Sequence, residues 1–306
     1  MPAASTILMI RPASFGYNEE TAANNFFQSH SNLNADELQQ IAVVEFDNMV
    51  RILRDNDLNV IVIEDLKEPP KPDAIFPNNW LSTSPEGIVS IFPMYAPNRR
   101  LERRDDILKL LTERFCVEEI QDLSGLEKEG HYLEGTGSMI IDNENKMIYA
   151  AISERTSITA LEKFASNGGY QAIVFIATDK YGKPVYHTNV MMTLGDNFAI
   201  LCEESIDEEW ELIAVRQLLE STGHSIIPIT KDQMHDFAGN MLLVKNNRGE
   251  KILVMSERAY QSLRKEQKQM LEAYSSLLPI SIPTIEEVEG GSVRCMMAEI
   301  FLEPKK

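Results

Sequence analysis

The sequence predicts a single α/β domain over residues 1–306, built as a propeller of five pseudo-symmetric units around one axis. Five amphipathic helical segments start near residues 36, 99, 154, 207 and 257, which spaces them by about 50 to 63 residues. About three short apolar runs accompany each helix. The units share this pattern but no visible sequence repeat, which favours one domain of five similar blades over several separate domains.

The first helix has the strongest periodicity of the five. The segment DELQQIAVVEFDNMVRILRDN places apolar residues along one face, behind a capping box that Asn34 and Glu37 can form. Gly168 and Gly169 mark the end of the third helix. The other four helical segments are RRLERRDDILKLLTERF, SERTSITALEKFAS, IDEEWELIAVRQLLESTG and SERAYQSLRKEQKQMLEAYSSL.

Short apolar runs between the helices are typical of β-strands. They are STILMI, NVIVI, IVSIF, SMIID, KMIYAAI, QAIVFIA, NVMMTL, FAILC, SIIPI, MLLVK, KILVM and AEIFL. Most helices follow a pair of these runs, which predicts local antiparallel hairpins. A doubly wound parallel sheet is the alternative architecture. However, the only Gly-x-Gly, in LEGTGSM, lacks the third glycine and the following helix of a dinucleotide-binding fingerprint.

The composition is that of a soluble globular protein, with 43% hydrophobic and 25% charged residues. The 29 Lys and Arg against 47 Asp and Glu give a net charge of −18, and a surface this acidic repels phosphate backbones and anionic lipids. We therefore expect neither a nucleic acid nor a membrane as partner. The start, MPAASTILMIRPASF, lacks the basic residues and long apolar run of a secretory signal, so we expect a cytoplasmic protein.

Metal and disulfide chemistry find little support in the sequence. Cys116, Cys202 and Cys295 are far apart and form no Cys-x-x-Cys pair, which argues against a disulfide framework and a zinc ribbon. No His-x-His or His-Glu-x-x-His spacing occurs. The sequence predicts no cofactor and no metal.

Cys295 has two readings. In GGSVRCMMAEI it follows a flexible glycine pair and the cationic Arg294, a setting that favours a thiolate nucleophile. A buried cysteine can equally pack with its neighbours Met296 and Met297. Cys116 and Cys202 have no adjacent glycine or basic residue, so we expect them only to pack.

A nucleophile needs a proton acceptor, and His187 is the best placed of five histidines. It ends an extended stretch, KPVYHTN, just before an apolar strand, where a side chain can point into a cavity. Glu134, in HYLEGTGSMII, has glycines on its C-terminal side that open space around its carboxylate. A solvated glutamate at a sheet edge is an equally good interpretation of that residue.

Five short motifs, FPNNW, YLEGTGS, YHTN, DFAGNM and GGSVRC, occur in an order that resembles the guanidino-group-modifying enzymes. That superfamily includes arginine deiminases, dimethylarginine hydrolases and glycine amidinotransferases. The resemblance covers nearly the whole chain and implies the pentein fold, a five-bladed α/β propeller that agrees with the five units above. Members are often dimers, so a homodimer is an assembly that the resemblance allows.

The resemblance implies a nucleophilic Cys295, a general acid and base at His187, and a Glu134 that contacts both the histidine and the substrate. Arginine deiminases hold the guanidinium with two aspartates, whose positions match Asn79 and Asn189 here. A carboxylate pair suits a cation, whereas asparagines can donate to and accept from a neutral ureido group. The whole sequence also resembles the citrulline-hydrolysing, ornithine-forming branch of the family. Together with the two asparagines, this resemblance implies a hydrolase that converts citrulline to ornithine, carbon dioxide and ammonia.

Other residues complete the predicted substrate site. Main-chain N–H groups near Gly290 and Gly291 are expected to stabilise the oxyanion. Further candidate substrate-binding residues are Asn78, Asp236 and Arg294, with Arg11 and Arg104 as alternatives for contacting the substrate carboxylate. The alternative functions are an enzyme of the same fold acting on arginine, agmatine or methylated arginine, and a noncatalytic propeller that binds a macromolecule.

Overall fold

The computed structural model describes residues 3–305, which form five sheets of three strands each. The strands are β1 (Thr6–Arg11), β2 (Asn59–Glu64), β3 (Leu81–Thr83), β4 (Ile88–Ile91), β5 (Glu119–Asp122), β6 (Ile140–Asp142), β7 (Met147–Ala151), β8 (Gln171–Phe175), β9 (Met192–Leu194), β10 (Phe198–Leu201), β11 (Ser225–Pro228), β12 (Leu242–Lys245), β13 (Lys251–Ser256), β14 (Ser276–Ile280) and β15 (Ala298–Ile300).

Eleven α-helices connect the strands within the same described range. They are α1 (Glu19–Ala22), α2 (Ala35–Asp55), α3 (Asp105–Arg114), α4 (Gly135–Ser138), α5 (Ile158–Gly168), α6 (Thr188–Met191), α7 (Glu209–Ser221), α8 (Lys231–His235), α9 (Glu257–Ser262), α10 (Lys265–Glu272) and α11 (Pro283–Glu289). None of the helices in residues 3–305 combines the length and the apolar character needed to cross a membrane.

The five sheets share one topology, which confirms the five-bladed α/β propeller. In each sheet the middle strand pairs antiparallel with one neighbour and parallel with the other. The antiparallel neighbours are β3, β6, β9, β12 and β15. Contacts of β3 with β15 and of β9 with β6 and β12 place these strands around the axis. The antiparallel hairpins that the sequence predicts are therefore present.

The first sheet joins the two ends of the chain. Strand β1 pairs in parallel with β2 and antiparallel with β15, with Leu8 opposite Ala298. This pairing brings the segment around Cys295 next to strands from the beginning of the chain and closes the ring of blades.

Each of the twelve predicted apolar runs contains a strand, and three further strands were not predicted. Strand β3 has only three residues, too few to show alternation. Strand β5, EIQD, is polar and largely exposed because it lies at an outer edge. Strand β14, SLLPI, contains a proline, and its first two residues lie within the segment that was predicted as the fifth helix.

The five predicted helices are present, with different boundaries at three of them. The capping box of Asn34 and Glu37 is confirmed at the start of α2. A separate 3₁₀ helix, Pro97–Glu102, precedes α3, and α5 starts only after the cap residue Ser157. The fifth helical segment divides into α9 and α10 because Leu263 is extended. The LEGTGSM stretch, predicted as non-helical, forms the short helix α4.

A short turn precedes each of the five axial strands, and the five turns meet at one end of the axis. They are the 3₁₀ helix Pro77–Asn79, helices α4 and α6, and the turns at residues 237–241 and 292–297. Helix α4 contacts both Pro77–Asn79 and α6, and side chains from the last two turns bond to α6. The pseudo-symmetry thus gathers residues from all five blades into one place.

Candidate active site

A narrow cleft lies where the five turns meet, and it brings together several of the predicted site residues. Cys295, His187 and Asn79 line it, as predicted from their motifs. Glu134 and Asn189 contact these residues from behind. The remaining lining residues are Asn25, Asp73, Phe76, Arg99, Arg155, Tyr186, Glu289 and Gly291.

His187 and Glu134 form a buried pair behind the cleft. His187 Nε2 lies 2.8 Å from Glu134 Oε2, and both residues are at most 2% exposed. Burial alone would raise the pKa of Glu134, but Arg155, His187 and Arg99 together hold it well below that of an ordinary glutamate. Because an ionised carboxylate only accepts hydrogen bonds, Nε2 carries the imidazole proton and Nδ1 keeps a free lone pair.

The imidazole is neutral at physiological pH. Burial lowers the pKa of His187 to about 4, although Glu134 acts in the opposite direction. Gly137 makes room for the ring, since a Cβ at that position would lie 2.8 Å from His187 Nδ1 and 2.4 Å from Asn79 Nδ2. Gly137, three residues after Glu134, therefore permits a close approach of the main chain to both side chains.

The sulfur of Cys295 is held by two amides. Asn240 Nδ2 lies 3.3 Å and Asn189 Nδ2 lies 3.5 Å from Sγ. Asn240 Oδ1 accepts from the main-chain N–H of Arg294, so its amide nitrogen must face the sulfur and the carbonyl of Asn189. Two amide N–H groups therefore donate to the sulfur of Cys295.

Asn79 is fixed in one orientation by a buried arginine. Its Oδ1 accepts a 2.9 Å hydrogen bond from Arg99, which has only donors to offer. The amide nitrogen Nδ2 is buried and has no hydrogen-bond partner. Asn79 therefore presents a donor to the cleft and no acceptor.

The cleft also carries charges that the sequence did not predict. Arg99 forms ion pairs with Asp73 and Glu102 and lies 3.6 Å from Glu134, and Arg155 also lies 3.6 Å from Glu134. Asp73 and Glu289 line the cleft itself. Buried charged residues therefore line the cleft beside the predicted amide of Asn79.

Three predicted substrate-binding residues lie away from this cleft. Arg294 forms an ion pair with Glu299 at 2.9 Å and lines a separate cavity among the axial strands. The side chains of Arg294 and its neighbour Cys295 therefore face different cavities. Asp236 pairs with Arg258 at the surface. Asn78 is buried, and its amide donates to the hydroxyl of Thr136, a residue of α4. It does not line the cleft.

Two other expectations about binding groups are corrected. The N–H of Gly290 caps α11 by donating to Glu286, so it is not free to stabilise an oxyanion. Arg11 pairs with Asp47 and Glu64, and Arg104 pairs with Asp106 and Asp65, all away from the cleft. The arginines of the cleft are Arg99 and Arg155 instead.

The residues that the sequence did not identify carried only weak signals. Asn240 lies in the quoted motif DFAGNM, but the acidic residue of that motif attracted the prediction. Arg99 and Arg155 stand in charged, helix-like segments where a solvated arginine is the ordinary expectation. Glu289 stands just before the glycine pair, a position that is typical of the last residue of a helix. Only burial reveals these side chains as part of the site.

Comparison with known proteins identifies the family. The family model described as N,N-dimethylarginine dimethylhydrolase, eukaryotic, matches residues 11–302. The chain belongs to this family. This match confirms the resemblance to guanidino-group-modifying enzymes. A search of curated protein sequences found no match.

Solved structures show the same fold at low sequence identity. ArgZ, a cyanobacterial arginine dihydrolase, is 15% identical with a TM-score of 0.74, and the match covers 98% of this dimethylarginine dimethylhydrolase family member but 41% of ArgZ. The N-terminal domain of ArgZ with bound substrate is 16% identical, with a TM-score of 0.71 and coverage of 96% and 97%. A dimethylarginine dimethylaminohydrolase adduct with S-methyl-L-thiocitrulline is 14% identical, with a TM-score of 0.62 and coverage of 97% and 100%.

Proposed function

We propose that the protein is a cysteine-dependent hydrolase that converts citrulline to ornithine, carbon dioxide and ammonia. In this proposal Cys295 is the nucleophile, His187 is the general acid and base, and Glu134 orients the imidazole. The proposal assigns one catalytic domain to residues 1–306, because turns from all five blades surround the cleft. The buried, hydrogen-bonded arrangement of sulfur, imidazole and carboxylate supports catalysis over a noncatalytic role.

The orientation of Asn79 is the observation that favours a ureido group over a guanidinium. Arg99 donates a hydrogen bond to Asn79 Oδ1, so the unpaired Nδ2 is the atom that can donate to the substrate. A guanidinium carries only donors, so it would face this N–H with another N–H. A ureido oxygen accepts the bond, and the same donor stabilises the negative charge that develops on that oxygen during attack.

The first half of the reaction forms a covalent intermediate. His187 Nδ1 takes the thiol proton, and the thiolate of Cys295 attacks the ureido carbon. The tetrahedral intermediate collapses when the imidazolium gives its proton to the terminal nitrogen, which leaves as ammonia. The product of this half-reaction is an S-carbamoyl cysteine that still carries the ornithine side chain through its nitrogen.

The second half of the reaction consumes water. Neutral His187 removes a proton from water, the hydroxide adds to the S-carbamoyl carbon, and the carbon–sulfur bond breaks. Cys295 regains its proton from His187, and the N-carboxylated ornithine that is released transfers its carboxyl proton to nitrogen and loses carbon dioxide. One water molecule is consumed for each citrulline, and ornithine, carbon dioxide and ammonia account for all atoms.

Arginine is the second candidate substrate, and a different observation favours it. Asp73 and Glu289 are buried carboxyl groups in the same cleft, a composition that suits a cationic substrate. ArgZ, which shares the fold, is itself described as an arginine dihydrolase. An enzyme that takes arginine through citrulline to ornithine would use the same sulfur and imidazole twice.

The substitution Asn79→Asp tests the proposal. A carboxylate at residue 79 would keep its contact with Arg99 and present an acceptor instead of a donor. We expect kcat/KM for citrulline to fall by about 10- to 100-fold, the effect of one mispaired polar contact, while turnover of arginine rises. Release of ornithine, citrulline and ammonia from each substrate is measured by mass spectrometry.

Two variants serve as controls. Asn78→Asp changes the adjacent buried amide, which contacts Thr136 and does not line the cleft, so it should leave the preference for citrulline unchanged. Cys295→Ser should abolish turnover of every substrate while the fold is retained. A wild-type protein that hydrolyses arginine but leaves citrulline intact would reject the proposal, as would undiminished selectivity in Asn79→Asp.

A further inference from the structure

Glu134 and His187 hold equivalent positions in adjacent blades. Each is the N-cap residue of a helix of four residues, Glu134 of α4 and His187 of α6. An N-cap side chain commonly bonds to the free N–H groups of its own helix, but neither of these does so. The two side chains meet each other instead, with 2.8 Å between Glu134 Oε2 and His187 Nε2. Neither side chain therefore anchors its own helix.

Helices this short cannot fix the positions of the two side chains by themselves. A single helical turn gains few hydrogen bonds for the backbone freedom that it loses, so tertiary contacts must hold it in place. Helices α4 and α6 pack against each other, and a Cβ at Gly137 of α4 would lie 2.8 Å from His187 Nδ1. The contacts that join α4 to α6 therefore set the distance between the carboxylate and the imidazole.

The hydroxyl of Ser138, the last residue of α4, joins two main-chain groups beside the carboxylate. It accepts a 2.8 Å hydrogen bond from the N–H of Glu134 and donates one of 2.8 Å to the carbonyl of Arg155. The guanidinium of Arg155 lies 3.6 Å from Glu134 Oε2. Ser138 is fully buried. One hydroxyl thus fixes the main chain of both partners in that ion pair.

The hydroxyl of Thr188 joins the two helices. Thr188 directly follows His187 and is fully buried. Its hydroxyl donates to the carbonyl of Ser138 and accepts a 2.8 Å hydrogen bond from the N–H of Ala151, the last residue of β7. Both of these main-chain groups belong to the blade that carries Glu134. The side chain next to His187 therefore connects α6 to the blade of its carboxylate partner.

Loss of the Thr188 hydroxyl would disturb this connection from outside the cleft, since neither Ser138 nor Thr188 lines the cleft. A valine at residue 188 has nearly the same shape as threonine but would leave the carbonyl of Ser138 and the N–H of Ala151 without a partner. Buried main-chain groups without partners are costly, so α6 is expected to shift until they find new ones. A shift of about 1 Å in a reacting group can lower a rate by about 100-fold.

We propose that Ser138 and Thr188 are positioning residues, whose hydroxyl groups hold the imidazole of His187 against the carboxylate of Glu134. They act through the main-chain groups that they join. The inference rests on the proposed function in taking His187 as the general acid and base and Glu134 as the group that orients it. It adds that the rate depends on two hydroxyl groups that do not meet the substrate.

Substitutions at the two hydroxyl groups test the proposal by their effects on kcat and KM. In Thr188→Val we expect kcat to fall by about 10- to 100-fold while KM stays within about threefold, because the contacts with the substrate remain. Thr188→Ser keeps the hydroxyl and should restore kcat to within about threefold of the wild type. Ser138→Ala should lower kcat as Thr188→Val does, so the inference remains testable if one of the two variants does not fold. Citrulline and arginine are the substrates, and ornithine, citrulline and ammonia are measured by mass spectrometry.

Thr83→Val is the matched control. The hydroxyl of Thr83 donates to the carbonyl of Glu299 at 3.0 Å and accepts from the N–H of Phe301 at 2.9 Å, so it joins two blades in the same manner. Thr83 is also buried, and it does not line the cleft. The change should lower stability about as much as Thr188→Val does, as measured by urea unfolding, and it should leave kcat unchanged.

Nuclear magnetic resonance gives a readout that needs no turnover. The Nε2–H of His187 donates to a buried carboxylate, so it should give a downfield proton signal that exchanges slowly with water. Loss of this signal in His187→Gln assigns it. We expect the exchange to be about tenfold faster in Thr188→Val than in the wild type, and unchanged in Thr83→Val and Thr188→Ser.

Three results would overturn the inference. They are equal losses of kcat in Thr188→Val and Thr83→Val, a Thr188→Ser variant as slow as Thr188→Val, and a His187 signal that exchanges at the wild-type rate in Thr188→Val.

The outcome is separable from that of the proposed function. A wild type that hydrolyses arginine but not citrulline, and that is slowed by Thr188→Val, would uphold the two hydroxyl groups and reject the citrulline proposal. Citrulline turnover that is unchanged in Thr188→Val and Ser138→Ala would do the reverse.

Discussion

Fixed amide orientations control the chemistry of the cleft at the scale of single residues. An asparagine can turn either its oxygen or its nitrogen toward a ligand, and a neighbour that only donates removes that freedom. Arg99 does so for Asn79, and the main-chain N–H of Arg294 does so for Asn240. Both asparagines therefore act as donors, one toward the cleft and one toward the sulfur of Cys295.

Removing the donor at Asn240 should make the thiol less reactive. Asn240→Ala deletes the shorter of the two N–H contacts to Sγ, at 3.3 Å, and with it about 1 kcal/mol of stabilisation of the negative sulfur. We expect alkylation by iodoacetamide at pH 7 to slow by about five- to tenfold. The measurement is made in a Cys116→Ser background, because Cys116 is exposed and Cys202 is buried.

The exposed Asn59→Ala variant provides the control for a general effect on stability. Equal alkylation rates in Asn240→Ala and Asn59→Ala would show that the amide contact does not activate the sulfur.

At the scale of elements, the site depends on turns and helix ends whose backbone only glycine adopts easily. Gly290 ends α11 with φ +64°, and a Cβ there would lie 2.7 Å from the main-chain nitrogen of Gln28 and 2.8 Å from Asn25 Oδ1. Asn25 in turn donates to the carbonyl of Glu289. The end of α11 thus packs against Asn25, which lines the cleft.

Gly290→Ala should destabilise the protein more than the same change at another helix end. Gly169 also ends a helix with positive φ, +69°, but no atom lies within 4 Å of a Cβ there. We expect Gly169→Ala to cost about 1 kcal/mol through backbone strain, and Gly290→Ala to cost about 1 to 3 kcal/mol more because of the clash. Urea unfolding of the two variants measures the difference, and equal losses would contradict the packing argument.

At the scale of the whole molecule, closure of the propeller places a buried charged network where all five blades meet. Arg99 comes from the second blade, Glu134 and Arg155 from the third and Cys295 from the turn before β15, which pairs with β1. The network can form only after the ring has closed. The protonation states of the site are therefore linked to global stability.

Acid should destabilise the protein through His187. The imidazole has a pKa of about 4 in the folded protein against 6.5 when exposed, so between these values it binds a proton only on unfolding. Stability is fully retained above about pH 6.5 and falls by roughly 3 kcal/mol as the pH drops to 4. Glu134, whose pKa is lowered, adds a further loss below its unfolded value of 4.5.

Urea unfolding of the wild type and of His187→Gln between pH 7.5 and 4 checks this expectation. The variant should be less stable at neutral pH and should lose less stability on acidification, because it has no imidazole to protonate. If the free energy of unfolding fell equally with pH in the two proteins, a group other than His187 would cause the acid sensitivity.

The sequence by itself determined the five-unit architecture and most strands, because burial imposes apolar periodicity. Glycines near Cys295 and Glu134 marked those two residues as candidates. The roles predicted for them, and for His187, Asn79 and Asn189, came from the resemblance to guanidino-group-modifying enzymes. Strand β5 escaped prediction because it is polar and largely exposed, and strand β14 because it contains a proline and overlaps the predicted fifth helix.

Only the tertiary structure decided which polar groups share the cleft and what each one offers to a ligand. Arg99, Asp73 and Glu289 look like solvated surface residues in the sequence, and Arg294 looks like a neighbour of the sulfur. Burial reverses both expectations, since the environment of a charge depends on residues from other blades. The direction in which Asn79 points is likewise set by Arg99, and no local pattern in the chain records that contact.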